Sequence, residues 1–345
     1  MGFGPGKVIL LGEHGVVYGF PALAGPLTIG VRAAGSFLPA GRESSLVIPR
    51  EIRGRGRALL AEAFAAAAAE AGLSGRAGAR GIRVRLESDL PASMGLGSSA
   101  AVSVACARVL LKAAGAGAGS VAVAGESVPA REGRRRRPGV VEARLPHEPA
   151  AADVARVAWA MERVFHGTPS GVDHTCAAMG ELIHFRRRGD PQKGPRPLVK
   201  VVASPRPLKV LVLLVGERPA TKETVAALRS RQAAWPERYR RMFREIGMLA
   251  DDGRRAVEAG ELEWLGDLMN MNHGLLAGLG LSSAGIDEAV HRLRAAGALG
   301  AKLTGAGGDG GAVIGLFHEP EPVVAKLRRA GLRCFTSQLA GPRAL

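Results

Sequence analysis

The hydrophobic pattern is clearest at residues 81–88, where Ile82, Val84 and Leu86 alternate with Arg83, Arg85 and Glu87. Alternation with period two predicts a strand with one face on a core and the other in water. Apolar runs at 7–11 and 28–38 predict two strands upstream. An Ala-rich stretch with Leu59, Leu60, Ala63 and Phe64 predicts a helix over 57–71 that stops at Gly72. Further helices are expected from about Ser99 to Ala114, over 151–165 and over 172–179, followed by a strand over Glu181–Arg186. Residues 115–150 are rich in Gly, Pro and Arg and predict a loop or irregular insertion.

Five prolines (Pro191, Pro195, Pro197, Pro205 and Pro207) crowd residues 187–208. Such a stretch predicts a domain boundary, dividing the chain into 1–190 and 191–345. Beyond it, a buried strand is expected at Lys209–Val215, then helices around 221–233, 236–258, 261–278 and 284–296. Strands at 300–304, 311–317 and 332–338, with a helix at 320–330, complete the reading. Strands separated by helices, with no repeat of fixed period, predict an α+β architecture with two lobes.

Composition narrows the class. The chain has 345 residues, of which 47% are hydrophobic, enough for a sizeable core and too many for wholesale disorder. Three cysteines (Cys106, Cys176 and Cys334) lie far apart, which argues against a disulfide framework or a Cys-rich zinc site and fits a reducing cytoplasm. The aliphatic run Val210–Val215 is far short of a membrane span, and Glu13 and His14 interrupt any signal-peptide pattern. A soluble cytoplasmic protein is expected. The net charge of +16 raises the question of nucleic acid. However, aromatics are only 4%, leaving few platforms for stacking bases, and the densest run, Arg134–Arg137, sits in a Gly/Pro-rich stretch that reads as a solvated loop. The same field would attract a phosphorylated cofactor and an acidic substrate.

Three segments carry chemistry. In Asp89-Leu-Pro-Ala-Ser-Met-Gly-Leu-Gly-Ser-Ser-Ala-Ala101 a strand enters, Pro91 and two glycines turn the chain, and a helix begins at the serines. Glycines let backbone N–H groups approach an anion, and the helix N-terminus adds unpaired donors, so the segment predicts phosphate binding. It is not a Walker A loop, since no Gly-Lys-Ser/Thr follows. Lys302-Leu-Thr-Gly-Ala-Gly-Gly-Asp-Gly-Gly311 contains a G-x-G-x-x-G, but the apolar run after it reads as a strand where a dinucleotide fingerprint needs a helix. A glycine-dense hairpin against another loop or a ligand is expected instead. In Glu162-Arg-Val-Phe-His-Gly-Thr-Pro-Ser-Gly-Val-Asp173, a carboxylate set in a Gly/Pro turn suits proton acceptance from a hydroxyl, and a second carboxylate suits Mg²⁺. By pattern alone, Asp173 as a helix N-cap and Glu162 as a solvated charge are equally good readings.

Taken together, these segments and the opening Pro5-Gly-Lys-Val-Ile-Leu-Leu-Gly-Glu-His-Gly-Val-Val-Tyr-Gly-Phe-Pro-Ala-Leu23 resemble the three motifs of the GHMP kinases, in the family's order and across nearly the whole chain. Within the family, the opening and His166-Gly-Thr-Pro-Ser-Gly-Val-Asp173 are most similar to the mevalonate kinases. The resemblance implies a two-lobed fold with an N-lobe like ribosomal protein S5 domain 2, a ferredoxin-like C-lobe, and the active site between them. It implies ATP and Mg²⁺ as cofactors and phosphorylation of the primary hydroxyl of mevalonate, an acidic small molecule.

By that resemblance Asp173 would take the hydroxyl proton, with Lys7 beside it. Ser99 and Glu162 would hold Mg²⁺, and Gly95, Leu96, Gly97, Ser98, Ser99 and Ala100 would cradle the ATP phosphates. Glu13, His14, Thr221, Gly305 and Ala306 would line the substrate side. A lysine beside an aspartate stabilises the ionised carboxylate and weakens it as a base, so Lys7 is read as orienting and charge-stabilising, although a plain structural salt bridge is the competing reading. Three features depart from the family: Asp309 where glycine is usual, His174 where asparagine is common, and the composition of 115–150. Nothing in the sequence fixes the pocket's shape. A sugar, a phosphomevalonate-like acid or another small alcohol therefore stays open as acceptor, as does a non-catalytic ligand sensor, although retention of Lys7, Glu162 and Asp173 together argues against the last. A homodimer is common in such kinases, and this sequence does not show one.

Overall fold

A computed structural model describes residues 1–50, 52–73, 80–118, 148–188, 197–216 and 221–342. The Arg-rich stretch and most of the expected 115–150 insertion lie outside these residues, as does the expected division at 190–191.

The first sheet is built on one long strand. β1 (Gly2–Leu11) and β2 (Pro21–Ala40) pair antiparallel from Gly2↔Ala33 to Leu11↔Leu23. The strand expected at 28–38 is thus the second half of a 20-residue β2. The first half, Pro21–Ala24, pairs with β5 (Ile183–Arg186), and the second half pairs with β4 (Arg80–Ser88). The alternation in β4 is as expected, with Ile82 and Val84 buried and Arg83, Arg85 and Glu87 exposed. Two short edge strands complete the sheet, β3 (Ser45–Val47) beside β4 and β6 (Leu198–Val201) beside β5. β6 lies within the Pro-rich stretch, so the chain leaves the first sheet only after Val201.

Helices α1 (Gly54–Glu70), α2 (Ser98–Ala118) and α4 (Val172–Met179) pack with this sheet, and α3 (Ala151–His166) packs on these three helices. α2 continues past Ala114, through residues expected to be loop. By length and composition, its span Ser98–Gly115 is apolar enough to cross a membrane. Here Ala101, Val104, Ala105 and Leu110 are instead buried in one core with Val8 and Leu10 of β1 and Val157 of α3.

The second sheet is four-stranded and antiparallel, in the order β10-β7-β9-β8, formed by β7 (Leu208–Val215), β8 (Gly300–Thr304), β9 (Gly311–Phe317) and β10 (Cys334–Ala340). Its helices are α5 (Thr221–Ala234), α6 (Pro236–Ala259), α7 (Leu262–Gly278), α8 (Ala284–Ala295) and α9 (Glu321–Arg329). α6 opens on Pro236, whose missing N–H costs nothing in the first turn, and ends at Gly260 in the left-handed region. The two halves meet through β2 and β10, where the Thr28 amide donates to Ser337 Oγ at 2.9 Å, and through β1 and β8.

Candidate active site

Lys7 lies midway along β1, in line with the mouth of the glycine turn that precedes α2. Its backbone N–H donates to the Leu96 carbonyl at 2.9 Å, and its ammonium donates to the Gly95 carbonyl at 3.3 Å. Gly95 and Gly97 have φ of +78° and +73°, a region that side chains rarely adopt. A Cβ on Gly97 would lie 2.8 Å from Lys7 Cγ, so the turn closes directly over the lysine stem. From the other side, the Cβ direction of Gly305 points at the Gly95 backbone, 3.0 Å from its Cα. The first, second and third glycine-bearing segments therefore meet at one place.

α4 supplies the carboxylate. Its N-cap, Gly171, has φ of +96°, which turns the chain sharply after Pro169 and sets Asp173 in the first helical turn. Asp173 Oδ1 lies 3.3 Å from Lys7 Nζ. The lysine side chain is 3% exposed and the aspartate side chain 34%, so the ammonium is sealed in while the carboxylate faces open space. Glu162, near the end of α3, is buried and accepts from Ser103 Oγ at 3.1 Å. Ser99 Oγ stands 3.1 Å from His166 Nε2. Burial, aided by the nearby Asp173 charge, pushes the Glu162 carboxyl up to about 8. A carboxylate held in this way, next to two serine hydroxyls, is an oxygen site short of positive charge, which suits a hard divalent cation. Glu162, His166, Pro169, Ser170, Gly171, Asp173 and His174 line a pocket of about 130 Å³.

The expected substrate residues divide. His14 is half-buried with φ of +58°, and its Nε2 lies 3.1 Å from the Ala306 carbonyl. Burial drives its imidazole down to about 4, so the ring is neutral and Nε2 is the donor to that carbonyl. Glu13 does not face an open pocket as expected. It is 1% exposed and forms an ion pair with Lys302 of β8, because the turn after β1 directs its side chain into the seam between the sheets. Gly305 backs the phosphate-type turn, and Ala306 offers only its carbonyl, which is taken by His14. Ala100 is buried in the first turn of α2 and presents no side chain. Thr221 opens α5, and its side chain lies outside the described residues.

Sequence reasoning overlooked Ser103 and His166, which flank Glu162 and Ser99, and Asn272 and Lys302, which hold Glu13. The position of Ser103, one helical turn after Ser99 on α2, was a usable signal; Asn272 carried none. Of the departures, Asp309 is exposed at the tip of its loop, and His174 is buried with its ring 5.3 Å from Trp159.

The chain matches the family models for the GHMP kinases N terminal domain at residues 58–125 and GHMP kinases C terminal at 254–333. It is 30% identical to the mevalonate kinase of Pyrococcus abyssi over 329 residues, covering 89% of this chain and 85% of that one. It is 30% identical to the mevalonate kinase of Pyrococcus furiosus over 355 residues, covering 95% and 92%. The crystal structure of L. major mevalonate kinase in complex with R-mevalonate superposes with a TM-score of 0.72 at 26% identity, covering 99% of this chain and 96% of that one. With its three motifs converging on one ion pair and its likeness running from end to end, the chain belongs to the GHMP kinase family, among the mevalonate kinases.

Proposed function

We propose that the protein transfers the γ-phosphoryl group of ATP to the primary hydroxyl of mevalonate, giving 5-phosphomevalonate and ADP. The observation that carries the reading is the Lys7–Asp173 pair beneath the 95–99 turn, with Glu162 and Ser99 alongside. Phosphoryl transfer leaves little covalent work for the protein, so positioning and charge do most of it.

The roles follow from exposure and donor chemistry. Asp173, open to the pocket, accepts the proton of the acceptor hydroxyl at its carboxylate as the oxygen attacks phosphorus. Lys7, sealed beneath it, orients that carboxylate and places a fixed positive charge where negative charge builds up. Backbone N–H groups of the 95–99 turn and the start of α2 receive the phosphates. Glu162 and the Ser99 hydroxyl would hold Mg²⁺, which offsets phosphate charge when bound. Ser103 and His166 keep those two ligands in place. His14, neutral and fixed through Ala306, presents a polar ring on the acceptor side.

The test is ADP release with Mg·ATP across mevalonate, phosphomevalonate, galactose and homoserine, with Asp173→Asn alongside. Turnover with mevalonate that the variant loses supports the reading. Turnover with another acceptor keeps the chemistry and replaces the substrate, and ATP binding without turnover on any acceptor overturns it.

A further inference from the structure

Beneath the turn that carries His14 lies a fully enclosed cluster, none of whose residues lines the pocket beside Asp173. Lys302 is 0% exposed, and each of its three ammonium protons has an acceptor within the protein: Glu13 Oε1, the Leu303 carbonyl at 2.6 Å and the Ile9 carbonyl at 3.4 Å. None is left for a phosphate or an acceptor carboxylate. The second oxygen of Glu13 accepts from Asn272 Nδ2 at 3.4 Å, and Asn272 Oδ1 accepts from the Gly12 amide at 3.4 Å. Asn272, on α7, is itself fully buried. Two residues after Lys302, Thr304 Oγ1 receives the Ile9 amide at 2.9 Å and reaches the Ile9 carbonyl at 3.2 Å.

The bonds from Lys302 and Thr304 to Glu13 and Ile9 join the end of β1 with its turn (9–14) to the start of the third glycine segment (302–306), and Asn272 ties the same turn to α7. The turn needs such a hold. His14 has a left-handed φ, and such a conformation persists in a residue other than glycine only where its surroundings fix it. A buried ion pair is a weak source of net stability, because the cost of removing two charges from water offsets their attraction. Geometry and specificity are the better reasons to place one here. Lys302 and Glu13 also lie within electrostatic reach of Lys7, so an uncompensated Lys302 charge would repel the ammonium that must stay beside Asp173.

We propose that Glu13 is a positioning residue that acts through Lys302 and Asn272: the buried triad locks the 12–14 turn onto the third glycine segment, and so fixes His14 towards the acceptor and Lys7 towards Asp173, without touching either substrate. This rests on the mevalonate kinase reading above and replaces the direct substrate contact expected for Glu13.

The experiment is a double-mutant cycle on the full chain with Glu13→Gln, Lys302→Met and the pair together, alongside Asn272→Ala. kcat and KM are measured separately for mevalonate and for ATP. Each single charge variant lowers kcat/KM for mevalonate by roughly 10- to 100-fold, the range of coupling found for groups in one buried network. KM for ATP stays near wild type, and the neutral double variant recovers most of the loss because no charge is left unpaired. Asn272→Ala keeps both charges and loosens only the turn, so it raises KM for mevalonate even if a single charge variant fails to fold. Additive losses in the double variant would show that Glu13 meets the acceptor directly and overturn the proposal. So would an Asn272→Ala enzyme with unchanged KM for mevalonate. If the wild-type chain turns over another acceptor, the substrate reading fails and the same cycle, run with that acceptor, still decides the triad.

Discussion

Lys7 Nζ and Asp173 Oδ1 meet at 3.3 Å from opposite directions, the lysine rising from the middle of β1 and the aspartate from the first turn of α4. The contact is lopsided, since the ammonium is buried and the carboxylate is a third exposed. A pair meant only for stability has no need of that asymmetry, and an asparagine amide keeps a polar oxygen beside the ammonium, which also donates to the Gly95 carbonyl. Asp173→Asn therefore lowers kcat by roughly 10²- to 10⁴-fold, the usual worth of a positioned acid–base group, while the melting temperature and the binding of a non-hydrolysable ATP analogue change little. Steady-state kinetics and a thermal melt on the same preparation check this. A kcat within tenfold of wild type would assign the pair to structure.

Ser103 sits behind the expected metal position, with its Oγ 3.1 Å from Glu162 Oε1 and 2.9 Å from the Ser99 carbonyl, so its single hydroxyl proton is shared between the two. It touches one ligand residue through its side chain and the other through its backbone, so it sets their relative placement. Removing a group that orients a metal ligand commonly costs about 10- to 100-fold in metal affinity. Ser103→Ala raises the Mg²⁺ concentration needed for half-maximal activity by that order and leaves the rate at saturating Mg²⁺ largely restored. Mn²⁺ binding in the presence of nucleotide, followed by paramagnetic resonance, gives the same answer without turnover.

How far this arrangement is legible in the sequence depends on whether a signal is local. The alternation at Ile82, Val84 and Leu86 is a local consequence of one buried face, and β4 forms where it is expected. The glycine turn at 95–97 is legible for the same reason, since its conformations belong to single residues. The strand expected at 28–38 covers only the second half of β2: Gly25 and Pro26 interrupt the local apolar pattern, whereas pairing with β1 on one side and β5 or β4 on the other carries the strand through. β3 and β6 are exposed edge strands that contribute little to a core, so no hydrophobic pattern announces them. The Glu13–Lys302 pair spans 289 residues of chain, and a contact at that distance is written only in the tertiary fold.

His174 gives the fold a pH dependence with a definite sign. Burial against Trp159 pushes its imidazole down to about 4 from an ordinary 6.5. The folded state therefore prefers the neutral ring. Its contribution is fully present above pH 6.5, where the unfolded chain is also neutral, and is lost as pH falls towards 4. Between pH 7.5 and 5 the loss is on the order of 2 kcal/mol. His174→Asn carries no titrating group at that position. Urea unfolding at the two pH values gives a gap smaller by that order in the variant, and equal gaps in the two proteins would mean that His174 is hydrated in solution.

Gly97→Ala separates the lysine from the nucleotide. At φ of +73° alanine is strained, by about 1–2 kcal/mol, and its methyl would also sit 2.8 Å from Lys7 Cγ. The stem of Lys7 is hemmed in by the core, so the side chain cannot retreat without moving its ammonium away from Asp173 Oδ1. The backbone N–H groups that receive phosphate shift much less, because Gly95 remains wedged against Gly305. Gly97→Ala is therefore expected to cut kcat by at least tenfold while KM for ATP changes by less than about threefold, taking tenfold as 1.4 kcal/mol of misplaced charge. Gly95→Ala is the contrast. Its methyl meets the Thr304 carbonyl at 3.1 Å and is remote from the lysine stem, so its penalty falls on the glycine turn itself and appears mainly in KM for ATP. If both variants instead lose ATP affinity alike with kcat preserved, Lys7 has no part in the chemical step, and the 95–97 turn serves the nucleotide alone.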